Sequence, residues 1–130
     1  MLQEENGLTY EEYQNHAVEL LKKIPLYTKQ LIPALDTMAD EVDHDRQEDT
    51  MAVLAVAIDS FDWILEVLAH SLPIVNEECE RINLEKLNKL RRELTNALVF
   101  EDGETLARQI RISVTFLHKV ETMILEMNLG

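Results

Sequence analysis

Apolar residues return every third or fourth position through most of this chain, and almost nothing interrupts them. The first such run is Tyr13, Ala17, Leu20, Ile24, Tyr27, Leu31, Ala34, Met38 and Val42, with one slip where Ala34 and Leu35 adjoin. This is the period of a helix that packs one face against neighbours. Only three glycines and three prolines occur in 130 residues, so turns are few and elements long. No alternating apolar and polar stretch of strand length appears. The expected fold class is all-α: an antiparallel four-helix bundle, residues 1–130 forming a single domain, with its first eight residues frayed.

Local signals place the helix ends. Thr9-Tyr10-Glu11-Glu12 reads as a capping box, in which hydroxyl and carboxylate satisfy free amides at a helix start. The first helix should span about 9–43, kinked or broken near Pro25 and again at Pro33, because an interior proline loses a backbone hydrogen bond. A second helix is expected from Glu48 to Ser71, with Met51, Leu54, Ile58, Phe61, Leu65 and Leu68 inward and Val53, Val56, Ala57, Ile64 and Val67 on a second apolar flank. Its polar stripe of Asp59, Asp62, Glu66 and His70 is so narrow that neighbours should cover most of it. Leu72-Pro73 should end it. A third helix is expected over Ile74–Phe100, with a kink or restart near Asn83, where the apolar seam slips from Ile82 to Leu84, and with Cys79 in that seam. The fourth runs from an N-cap at Asp102 to Met127, before terminators at Asn128 and Gly130.

Composition narrows the functional classes. Twenty-five acids against twelve bases give a formal charge of −13. Affinity for phosphate backbones and anionic lipid surfaces comes from Lys and Arg, so neither nucleic acid nor a membrane is an expected partner. The lone cysteine, Cys79, cannot form an intramolecular disulfide. Met1–Asn6 lacks the basic and apolar regions of a secretory signal, and the most apolar stretch, Met51–Ile58, is too short to cross a bilayer. A cytoplasmic location is expected.

Charge is unevenly spread. Residues 36–49 hold seven acids and one base, while Arg81, Lys86, Lys89, Arg91 and Arg92 gather five of the twelve bases. The acids at a helix C-terminus oppose its dipole, which points to a basic partner for Asp40 and Asp43. Arg81, Lys86, Lys89 and Arg92 form the second candidate interaction surface, although exposed charges on a helix commonly do no more than pair with one another.

No catalytic motif stands out, and no cofactor is implied. Each histidine has an acid at helical spacing: Glu12 and His16, Glu41 and His44, Glu66 and His70, His118 and Glu121. Glu41-Val42-Asp43-His44 has the Glu-x-x-His spacing of carboxylate metal bundles, but such sites need two copies and further inward carboxylates. Glu41, His44 and Asp45 are therefore the metal candidates of a second reading, a metal-binding bundle enzyme or sensor. A third reading is a small-ligand pocket beside Trp63, Tyr27 and Phe61. The first reading is a non-enzymatic protein–protein interaction module, an adaptor, regulator or chaperone-like protein. It would self-associate as a homodimer or receive a basic protein or a partner helix.

Overall fold

Thr9 and Glu12 start the first helix as the sequence leads one to expect. The Glu12 amide donates to the Thr9 hydroxyl and the Thr9 amide to the Glu12 carboxylate, both at 3.0 Å. The structure, a computed structural model, describes residues 9–100 and 102–129. Five helices follow one another: α1 Tyr10–His44, α2 Thr50–His70, α3 Leu72–Val75, α4 Leu84–Phe100 and α5 Gly103–Met127. Among the described residues there is no strand, and no helix is long and apolar enough to cross a membrane. The expectations for residues 1–8, Glu101 and Gly130 lie outside the described residues.

The third expected helix is corrected. The restart expected near Asn83 occurs, at Leu84, but what precedes it is not a helix from Ile74: the chain makes a single turn, α3, and leaves helical geometry over 76–83. Asn76 explains the break. Its side-chain oxygen accepts from the amides of Arg81 and Ile82, at 2.9 and 3.0 Å, while its side-chain nitrogen donates to the Ile82 carbonyl at 2.8 Å. An Asn side chain thus supplies the partners that a continuing helix would otherwise provide. Arg81 reinforces the loop by donating to the Val75 carbonyl at 2.9 Å. Asn83 then caps α4 by accepting from the Lys86 amide at 3.1 Å. Cys79 consequently sits exposed in this loop and is not a core residue.

The buried side chains form one contiguous core drawn from all five helices. On α1 the inward residues are Ala17, Leu21, Ile24, Thr28, Leu31, Ile32, Leu35, Met38, Ala39 and Val42. Leu21, Thr28 and Leu35 take the places expected for Leu20, Tyr27 and Ala34. Thr28 is buried with its hydroxyl shared between the Pro25 carbonyl and the Glu121 carboxylate of α5, so its polar group is satisfied inside the core. The most extensive helix interface joins α1 to α5, followed by α1 to α2. Along the α1–α2 seam, Tyr13 reaches His70, Tyr27 reaches Trp63, and Thr50 donates to Glu41 at 2.8 Å.

The expectation that neighbours cover most of α2 holds over its second half and not over its first. Ala57, Ile64 and Val67 are buried, but Val53 and Val56 on the same flank are exposed, Val56 at 68 %. α2 meets α1 far more extensively than it meets α4, so part of its second apolar flank stays open.

Two helix starts carry a pH dependence. Hydrogen bonds from the Thr9 amide, then its hydroxyl, hold the Glu12 carboxyl below its ordinary range. The Thr105 hydroxyl does the same for Asp102, seconded by backbone amides. Because these folded values lie below the unfolded ones, the stabilisation is complete above the unfolded values. It is lost as pH falls through the folded ones. In an NMR acid titration, the Glu12 and Asp102 carboxyl carbons are expected to titrate below the ordinary values for Glu and Asp. Amide exchange in the first turns of α1 and α5 should rise in the same low-pH interval.

Candidate functional site

The loop that Asn76 closes and the first turns of α4 stand against the second half of α5, and a groove of about 640 Å³ lies between them. Its apolar lining comes from Ile82 and Leu87 on one side and from Phe116, Val120 and Met123 on the other. Ile82, Leu87 and Val120 belong to the core itself, so the floor is rigidly backed. Phe116 in turn rests edge-on against the fully buried Phe61, with ring centroids 6.5 Å apart. Around this floor stand three cations, Arg81, Lys86 and Lys119, with Glu126 the one acid among the lining residues. The Cys79 thiol is at the rim. On a chain of formal charge −13, a groove bordered by three cations is a local reversal of sign.

The basic cluster seen in the sequence divides into two jobs. Arg91 faces inward across the helix gap: it meets Asp62 at 3.3 Å and Glu66 at 2.9 Å, both on α2. The hydrogen bond to Glu66 is the main reason its guanidinium holds its proton more tightly than usual. Arg81 supports the Asn76 loop and approaches Glu78 at 3.7 Å. Lys86, Lys89 and Arg92 are exposed and share a shallow depression with Glu85 and Asn88, directly beside the groove. Lys89 comes within 3.9 Å of Glu93, a loose pair that counts for little. The cationic border is therefore continuous from Arg81 through Lys86 to Arg92, and α5 extends it with Lys119.

The acidic candidates lie elsewhere. Asp40 pairs with Arg111 of α5 at 3.0 Å, and Asp43 with His44 at 3.1 Å. Neither lines the groove. Of the metal candidates, Glu41 is engaged by the Thr50 hydroxyl, His44 is exposed, and Asp45 follows the end of α1 as its C-cap. The other histidine–acid pairs are similarly dispersed: Glu12 serves the N-cap, Glu66 holds Arg91, and Glu121 receives Thr28 as well as lying 3.6 Å from His118. Among the described residues, no group of three or more His, Cys, Asp or Glu side chains is placed to hold a metal ion.

The aromatic candidates split. Tyr27 and Trp63 meet in a tilted contact at a ring-centroid distance of 4.8 Å and line a small notch together with Asp59 and Ser60. Phe61 points the other way, into the core.

Sequence reasoning misses Lys119, Phe116 and Met123 as groove residues. Phe116, Val120 and Met123 recur at helical spacing with Lys119 between them, a wider apolar stripe than one core contact needs. That extra width is the signal the sequence offers.

The profile of a family described as a Domain of unknown function (DUF8042) matches residues 19–115. That span is well over half of the chain, which therefore belongs to this family. No curated protein and no solved structure matches it.

Proposed function

We propose that this DUF8042 protein is a non-enzymatic interaction module whose groove between α4 and α5 receives an amphipathic helix from a partner protein. The carrying observation is the groove itself: a core-backed apolar floor of about 640 Å³ bordered by Arg81, Lys86 and Lys119. An amphipathic helix lays apolar anchors into such a groove, and acids along its edge meet the cationic border. The expected partner is thus acidic where it docks here. A basic partner for the Asp40 and Asp43 region would be a separate contact.

In this reading the four long helices form an antiparallel four-helix bundle with α1 bent near Pro25. The order of the pairs Tyr13 with His70, Tyr27 with Trp63 and Glu41 with Thr50 supports the antiparallel course of α1 and α2. The missing amide of Pro25, inside α1, supports the bend. Self-association is part of the proposal. It is supported by Val56 on α2 and Val99 on α4, exposed at 68 and 72 %, and by the absence of any charged residue from Thr50 to Ile58. Light scattering across a concentration series checks it.

The groove is tested with a photo-crosslinking residue at Lys119 and, as a control, at Gln30 on the exposed side of α1, each activated in source-cell lysate. Crosslinks at Lys119 should fall on acidic amphipathic segments. Lys86→Glu should lower their yield by about fivefold or more, a loss of roughly 1 kcal/mol in binding. Folding should stay within about 0.5 kcal/mol of the parent, because Lys86 is exposed. Equal capture at Gln30, or capture indifferent to Lys86→Glu, overturns the proposal.

A further inference from the structure

A smaller concave feature lies elsewhere on the molecule, between α1 and α2. It has about 230 Å³ of space and four lining residues: Tyr27, Asp59, Ser60 and Trp63. Drug-sized ligands occupy pockets of roughly 300–1,000 Å³, so this notch suits a head group and not a whole cofactor. Its chemistry is divided. Two aromatic rings, 4.8 Å apart and inclined at 49°, supply π faces. A carboxylate and a hydroxyl supply hydrogen-bond acceptors. Asp59 is exposed, and among the described residues it has no ion-pair partner, whereas Asp62 one turn on is occupied by Arg91. No Lys or Arg lines the notch, so its negative charge is not neutralised locally.

Such a surface selects a cation that can be stacked on one side and can donate on another. Ring faces attract cations through the aromatic quadrupole. A quaternary ammonium would use the rings but has no proton for Asp59 or Ser60. A metal ion would find one carboxylate and one hydroxyl, too few hard ligands. A guanidinium satisfies both sides: its plane stacks on aromatic rings, and its edge donates in a fork to a carboxylate. We infer that the Tyr27–Asp59–Ser60–Trp63 notch is a binding site for a guanidinium group. The group is carried either by a free small molecule or by an arginine of a partner protein. This site is independent of the groove between α4 and α5.

Trp63 is the chain's one tryptophan, so its fluorescence reports on the notch without interference. The full chain is titrated with acetyl-arginine amide, with methylguanidine, and with acetyl-citrulline amide as the neutral isostere. Acetyl-arginine amide is expected to give a saturable change in Trp63 emission, and acetyl-citrulline amide none. Asp59→Asn should weaken binding about fivefold or more while leaving the circular dichroism unchanged, since Asp59 is exposed. Tighter binding of a peptide with a central arginine than of methylguanidine assigns the group to a protein partner; the reverse order assigns it to a small molecule. No saturable change, an equal response to acetyl-citrulline amide or to tetramethylammonium, or full binding by Asp59→Asn each overturns the inference.

Discussion

Phe61→Ala is expected to be among the most damaging substitutions in the molecule, lowering stability by about 3–5 kcal/mol. Phe61 is fully buried on α2 and, among the described residues, is the largest of the side chains that are completely enclosed. Truncation removes its transfer free energy and leaves a cavity that surrounding Leu and Ile residues fill only in part. Domains of this size are stable by about 5–15 kcal/mol, so the variant sits near the threshold of folding at physiological temperature. A drop in Tm of about 10–20 °C is the corresponding thermal result. Phe61 also meets Phe116, whose ring lines the groove. A double-mutant cycle between Phe61→Leu and Phe116→Leu should show coupling of about 0.5–1.5 kcal/mol, the usual range for an edge-to-face pair. Phe61→Leu keeps the core filled, so groove binding lost in that variant would trace to the floor and not to unfolding. A Phe61→Ala protein whose melting temperature is indistinguishable from the parent's would contradict the enclosed position of this ring.

Features set by neighbouring residues are legible in the amino-acid sequence itself. The Thr9–Glu12 box and the Asp102 cap depend on atoms within three residues of each other, and both occur. Over 76–83 the expected helix gives way to a side-chain clamp from Asn76; the slip in apolar phase from Ile82 to Leu84 marks the restart but not the clamp. On α1, periodicity picks out Ala17, Ile24, Leu31, Met38 and Val42, and all five are buried. Between adjacent candidates it fails: it favours Leu20 over Leu21, Tyr27 over Thr28 and Ala34 over Leu35. Neighbouring positions differ by only about 100° around a helix, so which one turns inward depends on where α5 and α2 sit. Thr28 in particular is buried because Glu121, ninety-three residues away, receives its hydroxyl. The groove is harder still. Arg81 and Lys86 stand out as charges, but Lys119 and Phe116 join them only through the packing of α5 beside α4. Exposure of Val53 and Val56 has the same origin, since whether a neighbour covers an apolar flank is decided by packing, and α2 meets α4 far less than it meets α1.

Gly103 provides the second large effect, and its sign separates two physical accounts. It is the first residue of α5, directly after the Asp102 cap. If only helix propensity mattered, Gly103→Ala would stabilise, by up to about 1 kcal/mol for a helix-interior position. The packing points the other way. A Cβ added here would lie 2.5 Å from the carbonyl oxygen of Val42 and 3.5 Å from the Cα of Asp43, both backbone atoms near the end of α1. A backbone oxygen cannot swing aside as a side chain would, so one helix end must shift. Val42 is buried, and its carbonyl also accepts from Arg46 at 3.3 Å, so that end is held on both sides. The expected cost of Gly103→Ala is about 1–3 kcal/mol, the usual range for overpacking. Gly103→Val adds a β-branched side chain at the same point and should cost still more. Urea denaturation reads this as a lower midpoint with an unchanged slope, since the unfolded state gains no new exposure. A midpoint for Gly103→Ala above that of the parent would mean that propensity governs this position and that α1 and α5 do not approach so closely. The close approach of the Val42 carbonyl is why a glycine suits this place.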